Sequence, residues 1–147
     1  MTNIALQLFC DRVVAAGRIT EADVATLARE ILPDGLMGRD EADLLLALDR
    51  AVADQHEGFA ALLTAEVVNF SVYGERPTGR ITRETATWLA ASIAGRKGPT
   101  STGSRIAREI VREATASDEA LIAFALEANR WVRQPEAARA RPMPLAA

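Results

Sequence analysis

The sequence predicts an all-α protein: about seven helices in a single-domain bundle, with two pseudo-repeated helix–turn–helix units around a buried central helix. Three observations lead there. Gly-Arg-Ile-Thr occurs twice, at Gly17–Thr20 and Gly79–Thr82, and the likeness continues downstream at one constant offset: Leu27 matches Leu89, Ala28 Ala90, Ile31 Ile93, Leu48 Ile110 and Arg50 Arg112. Aromatic residues make up only 5% of the chain while Ala and Leu abound, a composition that favours helices. Most apolar residues recur at helical spacing, and one segment is apolar on every side.

The elements follow in order. Residues 3–16 place Ile4, Leu8, Val13 and Val14 near helical spacing, and Gly17 ends that helix as a left-handed cap. Thr20 opens the second helix by accepting the orphan amide of Asp23, and Glu21 and Asp23 suit the positive end of the helix dipole. Val24, Leu27, Ala28 and Ile31 form its apolar stripe. Pro33-Asp34-Gly35 is a turn. A third helix is expected from about Arg39 to Asp54, with Leu44, Leu45, Leu48 and Val52 inward. From about Glu57 to Tyr73 the apolar residues Phe59, Leu62, Leu63, Val67, Val68, Phe70 and Val72 surround the axis, which makes this the expected central helix. Gly74 and Pro77-Thr78-Gly79 break it.

Thr82 opens the fifth helix, carrying Trp88, Leu89 and Ile93. Gly95-Arg96-Lys97-Gly98-Pro99 is a basic turn. A sixth helix from about Thr102 to Thr115 and a seventh, capped by Ser117 or Asp118 and running to about Arg133, complete the domain, residues 1–133. The pseudo-repeats cover about 17–54 and 79–116. Residues 134–147, rich in Pro, Ala and Arg without apolar periodicity, read as a flexible tail.

A chain of 147 residues can bury a sizeable core. Its formal net charge of −3 supplies no basic stripe, so nucleic-acid binding is not expected. No apolar run approaches the roughly 20 residues that span a bilayer, so no membrane partner is expected. The start, Met1-Thr2-Asn3-Ile4, lacks the basic and apolar regions of a secretion signal, and a cytoplasmic location is the expectation. Cys10 is the single cysteine and His56 the single histidine, which rules out an intrachain disulfide and a Cys- or His-rich metal site.

Three constellations are candidates for chemistry. The repeated turn could clamp an anion through Arg18 and Arg80. Each of its residues also has a role in helix punctuation, with Gly stopping one helix, Ile plugging the core and Thr capping the next, and that structural role is the expected one. Asp34, Asp40 and Glu41 crowd the loop before the third helix. The loop fails the EF-hand pattern, because Leu36 and Gly38 stand where oxygen ligands are needed and Leu45 where a bidentate Glu is needed. A looser divalent-cation site from the three carboxylates remains the metal candidate. Glu66, Asn69 and Tyr73, at i, i+3 and i+7, share one face of the expected central helix. They form a candidate buried polar site, in which Glu66 could be a ligand or a base; the alternatives are a hydrogen-bonded core network or a face that is simply wet, with Arg18 or Arg80 nearby.

The blocks Ile19-Thr20 to Pro33-Asp34-Gly35, Asp40-Glu41-Ala42, Leu44 to Ala51, Pro77-x-Gly79, Ile81-Thr82, Trp88-Leu89, Leu121 and Phe124-Ala125-Leu126 give the chain a resemblance to a family of short alphaproteobacterial all-helical proteins. That family is distantly similar to the tellurite-resistance TerB-like fold, which implies an all-helical domain associated with acidic, metal-linked sites and stress-response assemblies.

Phosphate loops, nucleophile elbows and zinc-protease motifs are absent from the sequence. The expected function is therefore non-enzymatic: a cytoplasmic accessory protein, stress-related, that binds a partner protein or a second copy of itself. No catalytic residue and no cofactor is expected. The alternative is a divalent-cation-binding TerB-like module.

Overall fold

The structure, a computed structural model, describes residues 3–135. Seven α-helices follow one another: α1 (Ile4–Ala16), α2 (Glu21–Thr26), α3 (Arg39–Ala51), α4 (Glu57–Asn69), α5 (Arg83–Ala94), α6 (Ser101–Glu113) and α7 (Glu119–Arg133). The only strands among the described residues, β1 (Arg80–Ile81) and β2 (Ala116–Ser117), pair in parallel. The all-α class is as expected. The described backbone divides into two compact units, with the boundary between Phe70 and Ser71. From residue 136 onward the expected tail lies outside the described residues.

Local sequence explains the helix ends. Gly17 takes φ 75°, and its N–H donates to the carbonyls of Val13 and Val14, closing α1. Thr20 and Asp23 then form a reciprocal capping box: the Asp23 amide donates to Thr20 Oγ1 at 3.1 Å and the Thr20 amide to Asp23 Oδ2 at 2.9 Å. Thr82, Thr100 and Asp118 cap α5, α6 and α7 one way only, their side-chain oxygens accepting the amides of Thr85, Gly103 and Ala120. The second helix leaves α geometry at Leu27, where a π-helical turn runs to Ile31 and the Leu32 amide donates to the Leu27 carbonyl at 2.8 Å. The wider turn buries both Leu27 and Leu32 ahead of Pro33.

The third helix ends at Ala51 rather than Asp54. Val52 is already extended, because residues 54–56 are needed as backbone partners for Ile19.

The two Gly-Arg-Ile-Thr turns lie 62 residues apart, and element positions recur at that offset. At an offset of 62 residues, the bounds of α3 coincide with those of α6, and α4 begins where α7 begins. Each copy of the repeated turn also meets the segment before its last helix in a short parallel pairing, Ile19 with Gln55 and Ile81 with Ser117, again at that offset. The isoleucines are 2% and 3% exposed, so each copy plugs a core.

In the first unit that core holds Leu6, Phe9, Val13, Leu27, Leu45, Leu48, Phe59, Leu63 and Val67; in the second it holds Leu89, Ile93, Ile106, Ile110, Leu121 and Phe124. Each fully buried Leu or Ile side chain contributes about 1.5–3 kcal/mol.

The buried central helix requires correction. α4 buries Phe59, Leu63 and Val67, but Ala61, Ala65 and Asn69 are exposed and Leu62 and Val68 only half-buried. The apolar residues of its outer face are mostly small alanines, which water tolerates at little cost.

Candidate functional site

The acidic loop is the first candidate to resolve, and its carboxylates do not converge. Asp34 sits exposed in the turn before α3 and Asp40 is exposed in the helix's first turn, whereas Glu41 is 6% exposed. One residue along a helix turns a side chain by about 100°, which sends Glu41 inward where Asp40 points out. Both Glu41 oxygens are engaged, Oε1 accepting the Met37 amide at 2.7 Å and Oε2 the Asn3 side-chain amide at 2.9 Å. Glu41 thus ties the loop and the start of α1 to α3. Among the described residues no group of three or more His, Cys, Asp or Glu side chains is placed to hold a metal ion. The expected site from Asp34, Asp40 and Glu41 is not formed.

The expected buried polar site from Glu66, Asn69 and Tyr73 is not formed either. Glu66 is half-buried, with its carboxylate against the turn at Gly35: a Cβ at that glycine (φ +80°) would lie 2.8 Å from Glu66 Oε2. Asn69 is exposed and Tyr73 is 45% exposed. Glu66 and Asn69 both lie on the half-buried to exposed side of α4, and beyond them the π-helical turn Phe70–Gly74 breaks the α register that would have aligned Tyr73 with them. Tyr73 instead donates its hydroxyl to Glu113 Oε1 at 2.5 Å. That bond raises the phenol's pKa, with the charge of Glu113 acting the same way.

His56 caps α4 through Nδ1, which accepts the Gly58 amide at 3.0 Å. Cys10 is buried, and burial pushes its thiol up to about 11, helped by the neighbouring Asp11.

The two copies of the repeated turn share a backbone and differ in what fills the crossing. In the first unit the Ile19 amide donates to the Asp54 carbonyl at 2.9 Å and the His56 amide to the Ile19 carbonyl at 2.7 Å. Between them Gln55 folds its side chain inward, its Nε2 donating to Asp49 Oδ1 at 3.0 Å and to the Val52 carbonyl at 2.8 Å. In the second unit the Asp118 amide donates to the Ile81 carbonyl at 2.8 Å. The residue matching Gln55 is Ser117, whose buried Oγ has no hydrogen-bond partner. Beside it opens a cleft of about 380 Å³ bounded by Pro77, Arg80, Ile81, Thr82, Ala116, Ser117 and Asp118.

A second feature of this unit was not singled out from the sequence. A groove of about 170 Å³ runs between α6 and α7, formed by Arg108 and Val111 on one side and Ile122, Ala125, Leu126 and Asn129 on the other. Ile122 is 41% and Leu126 59% exposed. The matching positions in the first unit carry the smaller or more polar Ala60 and Thr64. Along the outer side of α6, Arg105, Arg108 and Arg112 are exposed at i, i+3 and i+7, one arginine row on one helix face. The signal in the sequence was Ile122 and Leu126 at helical spacing opposite that row, but the pattern alone does not separate an inward stripe from an outward one.

No protein-family model, no curated protein and no solved structure matches the chain. No helix among the described residues is long and apolar enough to cross a membrane.

Proposed function

We propose that the protein is a non-enzymatic accessory protein that receives an acidic amphipathic helix of a partner protein in the α6–α7 groove. The observation that carries this reading is the pair Ile122 and Leu126, exposed beside Val111 and overlooked by an arginine row on α6. An apolar groove between two helices accepts the apolar face of a third, with anchors at helical spacing. From Ile122 to Asn129 the groove follows α7 for roughly 10 Å at about 1.5 Å per residue, two turns of a docked helix. The arginines favour acidic residues along that helix's flank and disfavour basic ones. The TerB-like resemblance, the cytoplasmic location and the stress-related setting belong to the same proposal.

The test is a photo-crosslinking amino acid placed at position 126, with position 123 on the exposed side of α7 as control, followed by sequencing of the crosslinked peptide. The reading expects crosslinks at 126 to an acidic, helix-forming segment of another protein, lost in Arg108→Glu. Equal crosslinking at both positions, or crosslinks at 126 only to a second copy of this chain, would refute it.

A further inference from the structure

The first unit carries an inference independent of the groove. We propose that the outer face of α1, where Ile4, Leu8 and Met37 gather, docks a basic amphipathic helix of a partner protein.

The apolar part of that face is assembled from two segments. Ile4 and Leu8 stand at i and i+4, so they form one ridge along α1. They are 69% and 63% exposed, more than Ile122 or Leu126 in the α6–α7 groove. Met37 joins them through Glu41, whose carboxylate oxygens accept the Met37 amide at 2.7 Å and the Asn3 side-chain amide at 2.9 Å. The shared acceptor holds the loop against the first turn of α1, and Met37 is 76% exposed there. Single exposed apolar residues need no explanation, whereas a contiguous group of large ones marks an interaction surface. A ridge of side chains four residues apart is the surface against which a second helix packs.

The rim decides the partner. Asp11 continues the ridge three residues beyond Leu8, Asp34 stands in the turn that leads to Met37, and Asp40 lays its carboxylate over Gly38, the residue after it. All three acids are exposed. The one cation of α1, Arg12, is committed to Asp23 at 3.1 Å and lies over the Phe9 ring. Arg39, beside Asp40, is half-buried and already engaged. The wider surroundings carry the same sign, because residues 3–70 hold twelve acids against five arginines and no lysine. Such a rim attracts a cationic flank and repels an anionic one. It also disfavours a second copy of the same face, since a two-fold contact would set these carboxylates against their own images.

The experiment follows backbone amide chemical shifts of the full chain as a synthetic amphipathic helix of leucine and lysine, about four turns long, is titrated in. The same peptide with glutamate for lysine is the reference. Saturable shifts centred on Ile4, Leu8 and Met37 are expected with the lysine peptide and none there with the glutamate peptide. The double variant Leu8→Gln, Met37→Gln should weaken binding by about tenfold or more, because both anchors lose their apolar contact. Asp11→Asn combined with Asp34→Asn should weaken it about threefold, the size of exposed charge pairs. Val14→Gln, on an exposed side of α1 turned away from the ridge, should leave it unchanged. Absence of saturable shifts, shifts of equal size along α6 and α7, full binding in the Leu8 and Met37 variant, or equal weakening in Val14→Gln overturns the proposal. So does self-association of the protein alone, measured by sedimentation, that Leu8→Gln removes, because it assigns the face to a second copy. Every substituted side chain is exposed, so these variants should retain the fold.

Discussion

Ile81 stands in parallel register with Ser117, as Ile19 does with Gln55 at the same spacing earlier in the chain. Each isoleucine pins a turn between two helices to the segment that starts another. Removing either side chain leaves a cavity at a point where three elements meet. Ile81→Ala and Ile19→Ala should each lower the unfolding free energy by about 2–5 kcal/mol. Urea denaturation monitored by circular dichroism measures it. A loss below about 0.5 kcal/mol, the range of ordinary surface substitutions, would show that the position is not a core pin.

Glu41 is a structural tie rather than a ligand. Glu41→Ala leaves the Met37 amide and the Asn3 side chain without their acceptor, and the expected loss is about 1–3 kcal/mol. Millimolar calcium should leave the melting temperature of the wild-type protein unchanged, since an ion that binds the native state must stabilise it. A calcium-dependent rise in melting temperature that disappears in Glu41→Ala would contradict this assignment.

Asp23 links stability to acid. Partial burial pushes its carboxyl up, but the hydrogen bonds from Thr20 and from Arg12, together with the Arg12 charge at 3.1 Å, outweigh it and hold the group below its ordinary value of 3.8. A depressed folded pKa adds stability that is complete above the unfolded value and lost as pH falls through the folded one. The melting temperature of Asp23→Asn should therefore lie below that of wild type near neutral pH, and the two curves should converge below about pH 4. Parallel curves down to about pH 2.5 would show that Asp23 carries no such linkage.

Cys10 should be inert in the folded protein. Its thiolate is disfavoured by burial, and the thiolate is the reactive form. Alkylation by iodoacetamide at neutral pH should be slow in the native state and fast in denaturant. Native-state labelling at the rate of a free thiol would indicate that the first helix opens readily.

Much of the fold was legible because helix punctuation is local. Gly17 and Thr20 act on backbone groups within a few residues, and so does Thr82, which caps Thr85 at 3.3 Å. The candidate site was less legible. The i, i+3, i+7 alignment of Glu66, Asn69 and Tyr73 assumed a continuous α-helix, and the π-helical turn at Phe70–Gly74 ended it. The acids Asp34, Asp40 and Glu41 look equivalent in sequence, yet only Glu41 turns inward, towards the Met37 amide and Asn3, a partner 38 residues away.

The sequence by itself determined the all-α class, the helix caps and the doubled Gly-Arg-Ile-Thr turn, because these depend on short-range hydrogen bonds and on the period of apolar residues. Tertiary structure alone decided which faces meet water and which distant segments pair. It exposed Leu126 where the matching Thr64 is half-buried. It also brought Ser117 beside Ile81, so that one crossing is filled by Gln55 while the other stays open. Those outcomes depend on contacts between residues tens of positions apart, which no local pattern encodes.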